Sequence, residues 1–132
     1  MSFTNFFETA ILNVLRGTTL TGITTLHVGL ASAAANDETP SITEISGGGY
    51  ARSPLTLGVP SQGADAATTL NTAVVTFGPA TGADWPAATH FIITDALTGG
   101  NVLAVNPLAA PRTVQVGDSA EFAVGALAVS QT

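Results

Sequence analysis

The sequence predicts an all-β fold, a β-sandwich or jelly-roll-like pair of antiparallel sheets with one short α-helix at the N-terminus. Apolar side chains in the first residues recur at helical spacing, whereas after Gly17 apolar and polar residues alternate with period two. Clusters of glycine, proline, asparagine and aspartate interrupt this alternation, a pattern typical of short strands joined by turns. The 132 residues are expected to form one domain, 1–132, with the helix over 2–17 and the sandwich over 22–132.

An amphipathic helix is the first predicted element. The apolar positions on its face are Phe3, Phe7, Ile11 and Leu15. Ser2 or Thr4 can cap the N-terminus. Arg16 followed by Gly17 suits the C-terminus, where a cation meets the negative end of the helix dipole and glycine adopts a left-handed cap. Such a helix packs on its own domain or, alternatively, docks onto a neighbouring subunit.

Short strands are expected in the rest of the chain. They are predicted at residues 23–31, 50–59, 73–77, 89–94, 102–105, 114–116, 121–124 and 127–129. Pro54 places the second of them at a sheet edge or a bulge. Residues 32–46 are polar and alanine-rich, so we expect a long surface loop there, which carries Asp37, Glu38 and Glu44. Residues 95–101 are expected to form a hairpin connection whose glycines supply positive φ angles.

The chain is poor in charge, with 9% charged residues against roughly 25% in an average soluble protein. Lysine is absent, and Arg16, Arg52 and Arg112 are the only cations, so the net charge is -6. Nucleic-acid binding needs clustered cations and is not expected. Because charged residues are depleted in the buried cores of interfaces, this composition suits a surface that is largely covered by partners.

No targeting or membrane signal is recognisable. The first residues lack the basic start and apolar core of a secretory signal, and no apolar run approaches the ~18 residues of a membrane span. The absence of cysteine excludes disulfides and thiolate chemistry. We therefore expect no membrane partner and synthesis in the cytoplasm of the producing cell.

Residues that could carry chemistry are scattered. His27 and His90 fall in separate predicted strands, without the three converging ligands that a metal site needs. The carboxylates lie singly in or beside predicted turns, where aspartate usually caps its own backbone. Asp95 with Asn101 could at most frame a calcium ion, without the spacing of an EF-hand. We expect no enzymatic activity, no cofactor and no metal.

The run Gly47-Gly48-Gly49-Tyr50-Ala51-Arg52 is the most distinctive segment. Three glycines allow the backbone to turn sharply into a strand, and Tyr50 and Arg52 then share one face of that strand. They are either an ordinary cross-strand pair or an inter-subunit contact. Trp85, the single tryptophan, is either a plug in the core or a contact for a partner or a carbohydrate. The candidate interface residues are Phe3, Phe7, Asp37, Glu38, Tyr50, Arg52 and Trp85.

Several motifs follow one another in order along nearly the whole chain. They are residues 12–19, 26–30, 44–52, 71–77, 79–82, Trp85, 89–96, 98–103, 107–108, 111–114, 116–118 and 123–127. In this set and order, the chain resembles small structural proteins of tailed bacteriophages, a family often labelled phage tail fibre protein. It departs from the family pattern at Pro111-Arg112, where lysine is more usual, and at Asp84-Trp85-Pro86.

The resemblance implies a non-enzymatic virion structural protein made in a bacterial host. Its first expected placement is a capsid decoration or cement protein, a homo-trimer on the outer head surface that bridges units of the major capsid protein. The alternative is a tail-fibre or tail-adaptor component that is involved in host attachment and contacts tail proteins. The absence of coiled-coil heptads and β-helical repeats favours the compact capsid module. A third class, a carbohydrate-binding module, needs more exposed aromatic residues.

Overall fold

A computed structural model describes residues 2–38 and 41–131. The chain begins with a short strand and a helix, and strands follow to the C-terminus. The helix is α1 (Asn5–Leu15), and the strands are β1 (Ser2–Phe3), β2 (Leu26–Ala34), β3 (Ile42–Glu44), β4 (Ser53–Leu55), β5 (Ser61–Gln62), β6 (Ala67–Leu70), β7 (Val75–Phe77), β8 (Trp85–Thr94), β9 (Val102–Val114), β10 (Ala120–Phe122) and β11 (Ala128–Gln131). The prediction of an all-β fold with one short N-terminal helix is confirmed.

Antiparallel ladders join the strands into one large and two small sheets. The large sheet has the order β1-β9-β8-β2-β3, and β4 also pairs with β2. Thus β3 and β4 lie along the same edge of β2, opposite its two ends. The small sheets have the orders β10-β7 and β11-β6-β5. Two long strands, β8 and β9, are joined by the predicted hairpin and form the centre of the fold.

The main core lies on one face of the large sheet, because alternate residues of its strands point to that face. Phe91 and Ile93 of β8 enter this core, whereas Ile92 lies in a smaller apolar cluster on the opposite face. Five aromatic rings contact one another in series through the core. They are Trp85, Tyr50, Phe77, Phe122 and Phe91, with centroids separated by 5.4, 6.3, 6.1 and 6.2 Å in turn.

The helix begins later than predicted. Residues 2 and 3 form β1, which pairs with β9, so the expected helix over 2–17 is wrong at its start. Thr4 is the N-cap: its hydroxyl accepts a hydrogen bond from Phe7 N at 3.4 Å and donates one to Val102 O at 2.6 Å. The N-terminus of the helix is therefore tied to β9 by both backbone and side chain. None of the described α1 side chains is buried, and no helix among the described residues is long and apolar enough to cross a membrane.

Thr4→Ala is expected to cost about 2 kcal/mol in free energy of unfolding. The upper end of the range for an N-cap applies, because the Thr4 hydroxyl is buried and also satisfies a carbonyl of β9. Urea unfolding of the variant measures the loss. Thr9→Ala, an exposed helical threonine, is the matched control, and an equal effect of both substitutions would contradict the anchoring role of Thr4.

The expected surface loop over 32–46 is wrong. Strand β2 continues to Ala34, and Ile42–Glu44 forms β3, which pairs with β2 in the antiparallel direction. Ala34 and Ile42 pack against the smaller apolar cluster, while Ile45 is buried in the main core. Composition was misleading here, because alanine is disfavoured in strands, yet Ala31 and Ala34 pack in the smaller apolar cluster, and packing against neighbours outweighs that preference. Residues 39 and 40, within the same expected loop, lie outside the described residues.

Other strand boundaries also changed. The expected strand over 50–59 pairs as a ladder only at Ser53–Leu55, and Leu57 forms an isolated bridge with Asn71. Strands β5 and β6 were not predicted, because they are short and polar and lack strong alternation. The buried Asn71 connects this region: its amide donates to Ala73 O and Ala123 O, and its side-chain oxygen accepts from Leu127 N.

Candidate interaction surface

The glycine run forms a tight turn whose three residues all have positive φ angles, of 77, 58 and 75°. Such backbone is favourable only for glycine. Gly48 also needs space, because a Cβ there would lie 2.8 Å from Ala83 O and 2.9 Å from Trp85 Cδ1. Its carbonyl accepts hydrogen bonds from the indole of Trp85 and from Thr81 N, both at 2.8 Å. The turn therefore packs on Trp85 and directs the chain into Tyr50.

Tyr50 and Arg52 converge on one carboxylate, that of Glu44. The Tyr50 hydroxyl donates to Glu44 Oε1 at 2.9 Å and accepts from Leu30 N at 2.8 Å. Arg52 binds the same carboxylate with two parallel hydrogen bonds of 2.8 Å, from Nε and Nη2. Gly29 makes room for this cluster, since a Cβ there would lie 2.9 Å from the Tyr50 hydroxyl. We call Glu44, Tyr50 and Arg52 the Glu44 cluster.

The Glu44 cluster also holds the β8–β9 hairpin. Arg52 Nη1 donates to the carbonyls of Ala96 and Gly99, each at 2.8 Å. Within the hairpin, both Asp95 carboxylate oxygens accept from Asn101, from its backbone N at 2.7 Å and from its amide at 2.9 Å. The carboxylate and amide that we considered for a calcium ion thus bind each other. Arg52 fastens the tip of the hairpin to the edge of the large sheet.

The structure favours the intramolecular alternative for Tyr50, Arg52 and Trp85. The Arg52 side chain is only 9% exposed, and its guanidinium donates hydrogen bonds to the carbonyls of Ala96 and Gly99 in the same chain. Trp85 is 2% exposed and packs edge-on against Tyr50, so its ring is a plug in the core rather than a contact surface. Hydrogen bonding to Glu44 raises the pKa of Arg52, which keeps the guanidinium charged and the hairpin fastened.

Alkaline pH is expected to destabilise the protein through Tyr50. Burial is the main cause that raises the pKa of Tyr50 above its ordinary value. In the unfolded chain the phenol ionises near pH 10, whereas the folded chain keeps its proton to higher pH. Above about pH 10 the unfolded state therefore binds fewer protons, and stability falls as pH rises. Tyr50 is the only tyrosine, so the ultraviolet absorbance of tyrosinate reports it directly. Ionisation near pH 10 without unfolding would contradict the burial of this hydroxyl.

Phe3 and Phe7 face the protein. Their rings contact each other edge-on at 5.0 Å and pack against the main core. With Ile11 they form one wall of an apolar groove of about 260 Å³, and Ala67 and Val129 of the small sheet lie opposite. Of the two alternatives given for the helix, these contacts correspond to packing on its own domain. A role for Phe3 and Phe7 between subunits stays a prediction.

Asp37 and Glu38 lie in the turn between β2 and β3, where both are partly buried. Glu38 Oε1 accepts a hydrogen bond from the backbone N of Asn5 at 3.1 Å. A carboxylate at this position is favourable, because the N-terminus of a helix carries a partial positive charge. Glu38 therefore helps to hold α1, and its role at an interface stays a prediction, as does that of Asp37.

The outward side of α1 is apolar, a feature that sequence reasoning missed. Leu12 is 61% exposed, and Phe6 and Val14 are exposed as well. Leu15, which was expected on the same apolar face as Phe3, Phe7 and Ile11, is 82% exposed. The helical period cannot show which face packs when apolar residues occur on more than one side. The sequence did carry a signal of this second apolar side, because Phe6, Leu12 and Val14 are apolar in addition to the residues that a single apolar face needs.

A second exposed apolar patch lies at the edge of the three-stranded sheet. It comprises Val59, Leu70 and Val124, which surround a depression of about 380 Å³. Val59 is 94% exposed. Isolated apolar residues on a surface are ordinary, but contiguous ones mark contact sites. Together with the outward side of α1, this patch gives the molecule two candidate contact surfaces.

Charged and polar groups do not converge in a comparable way. In residues 2–38 and 41–131, no three histidine, aspartate or glutamate side chains lie close enough to hold a metal ion. His90 Nδ1 lies 2.8 Å from the Thr89 hydroxyl. The guanidinium of Arg112 lies over the Phe122 ring, 5.7 Å from its centroid, at a groove of about 590 Å³ beneath the irregular part of β9.

Comparison with known proteins supports the resemblance noted in the sequence. None of the curated proteins that were compared with the chain matched it. A family model described as podophage GP4 fiber I protein gp80 matches residues 2–130. The match covers the helix and all the strands except the last residue of β11, so it extends over both candidate contact surfaces and the Glu44 cluster. The chain belongs to the family of the podophage GP4 fiber I protein gp80 and is a phage structural protein.

Proposed function

We propose that this chain is a non-enzymatic component of a phage tail fibre, or of the adaptor that joins a fibre to the tail, and that it acts by binding other virion proteins. The family match over residues 2–130 carries this proposal, because the family is described as a fibre protein. It favours the tail placement, which was our alternative, over the capsid decoration that we expected first.

The expectation of a capsid module depended on compactness, and compactness is a weak discriminator. A chain without heptads or β-helical repeats cannot build a shaft by itself. It can still cap a fibre, link a shaft to the tail, or repeat along an assembly through contacts between copies. The fold described above suits such a module, because its strands leave apolar surface at α1 and at the Val59 patch.

The internal use of its charged groups supports a structural role. Glu44 and Arg52 hold a hairpin, Glu38 holds the helix, and Asp95 closes the hairpin. Charged groups whose hydrogen bonds are made within the chain in this way stabilise a rigid body. What remains on the surface for a partner is largely apolar or small and polar, as in the central parts of protein interfaces.

Labelling and copy number in purified virions test the placement. We expect gold-labelled antibodies against the chain to mark the tail region, and a quantitative gel to show few copies relative to the major capsid protein. Virions produced without the chain are expected to keep intact heads and to adsorb poorly to host cells, and a wild-type copy supplied in trans is expected to restore adsorption. Label over the capsid with near-stoichiometric copies would overturn the tail placement and favour the cement protein.

A further inference from the structure

The outward side of α1 carries an ordered set of four exposed residues. Glu8, Leu12 and Arg16 are spaced four residues apart, so they lie on one side of the helix, and Leu15 lies beside them. We call these four residues the outer helix stripe. Its centre is apolar, because Leu12 and Leu15 are both well exposed, whereas Phe7 and Ile11 line the groove on the inner side.

The two charges of the stripe are placed symmetrically about Leu12. Glu8 lies one turn before Leu12 and Arg16 about one turn after it, so they are separated by about 12 Å along the helix axis. Rotation by 180° about an axis that passes just outside Leu12, perpendicular to the helix, reverses the helix direction and places Glu8 of one copy beside Arg16 of the other. The same rotation places Leu12 against Leu12 and brings Leu15 over the opposite stripe. The surface is therefore complementary to itself.

The helix is also held in place for such a contact. Thr4 ties its N-terminus to β9, and Glu38 binds the first backbone N–H. Arg16 is oriented by a hydrogen bond from Nη1 to Asn13 Oδ1 at 3.2 Å, which leaves its other donors available. A surface that is already ordered loses less entropy when it binds.

We propose that a second copy of this chain covers the outer helix stripe, with the two α1 helices antiparallel about a two-fold axis. Leu12 and Leu15 form the apolar centre, and two Glu8–Arg16 pairs flank it. Isologous contacts of this kind are the commonest in homo-oligomers. One pair of three-turn helices buries less than a standard interface of about 1,600 Å², so the dimer is weak in solution, with a Kd of about micromolar or higher.

Substitutions that reverse the charge of one residue of the outer helix stripe test this arrangement in the full chain. Glu8→Arg and Arg16→Glu are each expected to raise the dimer Kd at least about tenfold, because like charges then face each other. When the two variants are mixed, each arginine faces a glutamate, and the mixed dimer is expected to form with nearly the wild-type Kd. Sedimentation over a range of concentrations measures the association, and circular dichroism confirms the fold of each variant.

Asp65→Arg makes the same change of charge at an exposed position away from the helix and is expected to leave the Kd unchanged. Leu15→Ser removes apolar surface without a change of charge and is expected to weaken the dimer at least about tenfold, with little effect on folding, since the side chain is mostly exposed. A chain that stays monomeric at every concentration overturns the proposal. So does a trimer, or a dimer that is insensitive to Glu8→Arg, Arg16→Glu and Leu15→Ser.

The helix contact and the tail placement can be overturned independently of each other. A monomer that is labelled at the tail leaves the tail placement intact and removes the helix contact. If the chain forms a dimer with the predicted sensitivity to charge but the antibodies mark the capsid, the helix contact stands and the tail placement is overturned.

Discussion

Trp85→Ala is expected to lower the free energy of unfolding by about 4 kcal/mol, within the range for removing a buried aromatic side chain. The indole is 2% exposed, and its removal leaves a cavity between the glycine turn and β8. It also leaves Gly48 O with one hydrogen bond fewer and breaks the series of aromatic contacts at Tyr50. Chemical denaturation followed by circular dichroism measures the loss, because this variant has no tryptophan fluorescence.

Two further substitutions separate the contributions of Trp85. Trp85→Phe keeps a ring against Tyr50 and loses only the indole hydrogen bond and some volume, so it is expected to cost less than half as much as Trp85→Ala. Val59→Ala removes apolar atoms from a fully exposed side chain and is expected to change stability by less than about 0.5 kcal/mol. An effect of Trp85→Ala no larger than that of Val59→Ala would show that the indole is not part of the core.

Glu44→Ala is expected to lower the free energy of unfolding by about 3 kcal/mol. Removing one partner of a buried ion pair costs about 3–5 kcal/mol, and the lower end applies because the Glu44 side chain is 27% exposed. The substitution leaves the guanidinium of Arg52 and the hydroxyl of Tyr50 without their shared acceptor. Arg52 then remains largely buried as an uncompensated cation. Urea unfolding monitored by Trp85 fluorescence measures the loss.

A double-mutant cycle distinguishes the ion pair from other effects. Glu44→Ala, Arg52→Met and the double variant are compared, and the double variant is expected to be much less destabilised than the sum of the single variants. Asp65→Ala, at an exposed carboxylate, is the control and is expected to have little effect. Additive losses across the cycle would mean that Glu44 and Arg52 do not interact.

The Glu44 cluster was predicted only in part: Tyr50 and Arg52 were expected to share a face, as a cross-strand pair or an inter-subunit contact, but their common partner Glu44 was not. The run from Gly47 to Arg52 is distinctive in sequence, and the spacing of Tyr50 and Arg52 indicates a shared face. Their common partner, Glu44, falls in a segment that composition assigns to a surface loop. Only the pairing of β3 with β2 places that carboxylate beside Gly29 and the Tyr50 hydroxyl. Long-range pairing of this kind leaves no periodic signal in the chain.

The helix shows a similar division between local and long-range information. Its existence, its capping threonine and its C-terminal glycine follow from local preferences. Its first residue does not, because residues 2 and 3 are drawn into a strand by β9, about a hundred residues further along the chain. The exposure of Leu12 and Leu15 is likewise a tertiary outcome, because Phe7 and Ile11, on the other side of the helix, are the residues that line the groove shared with the small three-stranded sheet.

By itself, the sequence determined the fold class and the family. Period-two alternation with frequent turn residues encodes antiparallel strands locally, and the ordered motifs extend along almost the same range as the family match. The tertiary structure alone decided which candidate residues are buried and which apolar side chains remain free for a partner. That decision depends on which strands become neighbours, and strand pairing is a property of the whole chain rather than of any segment.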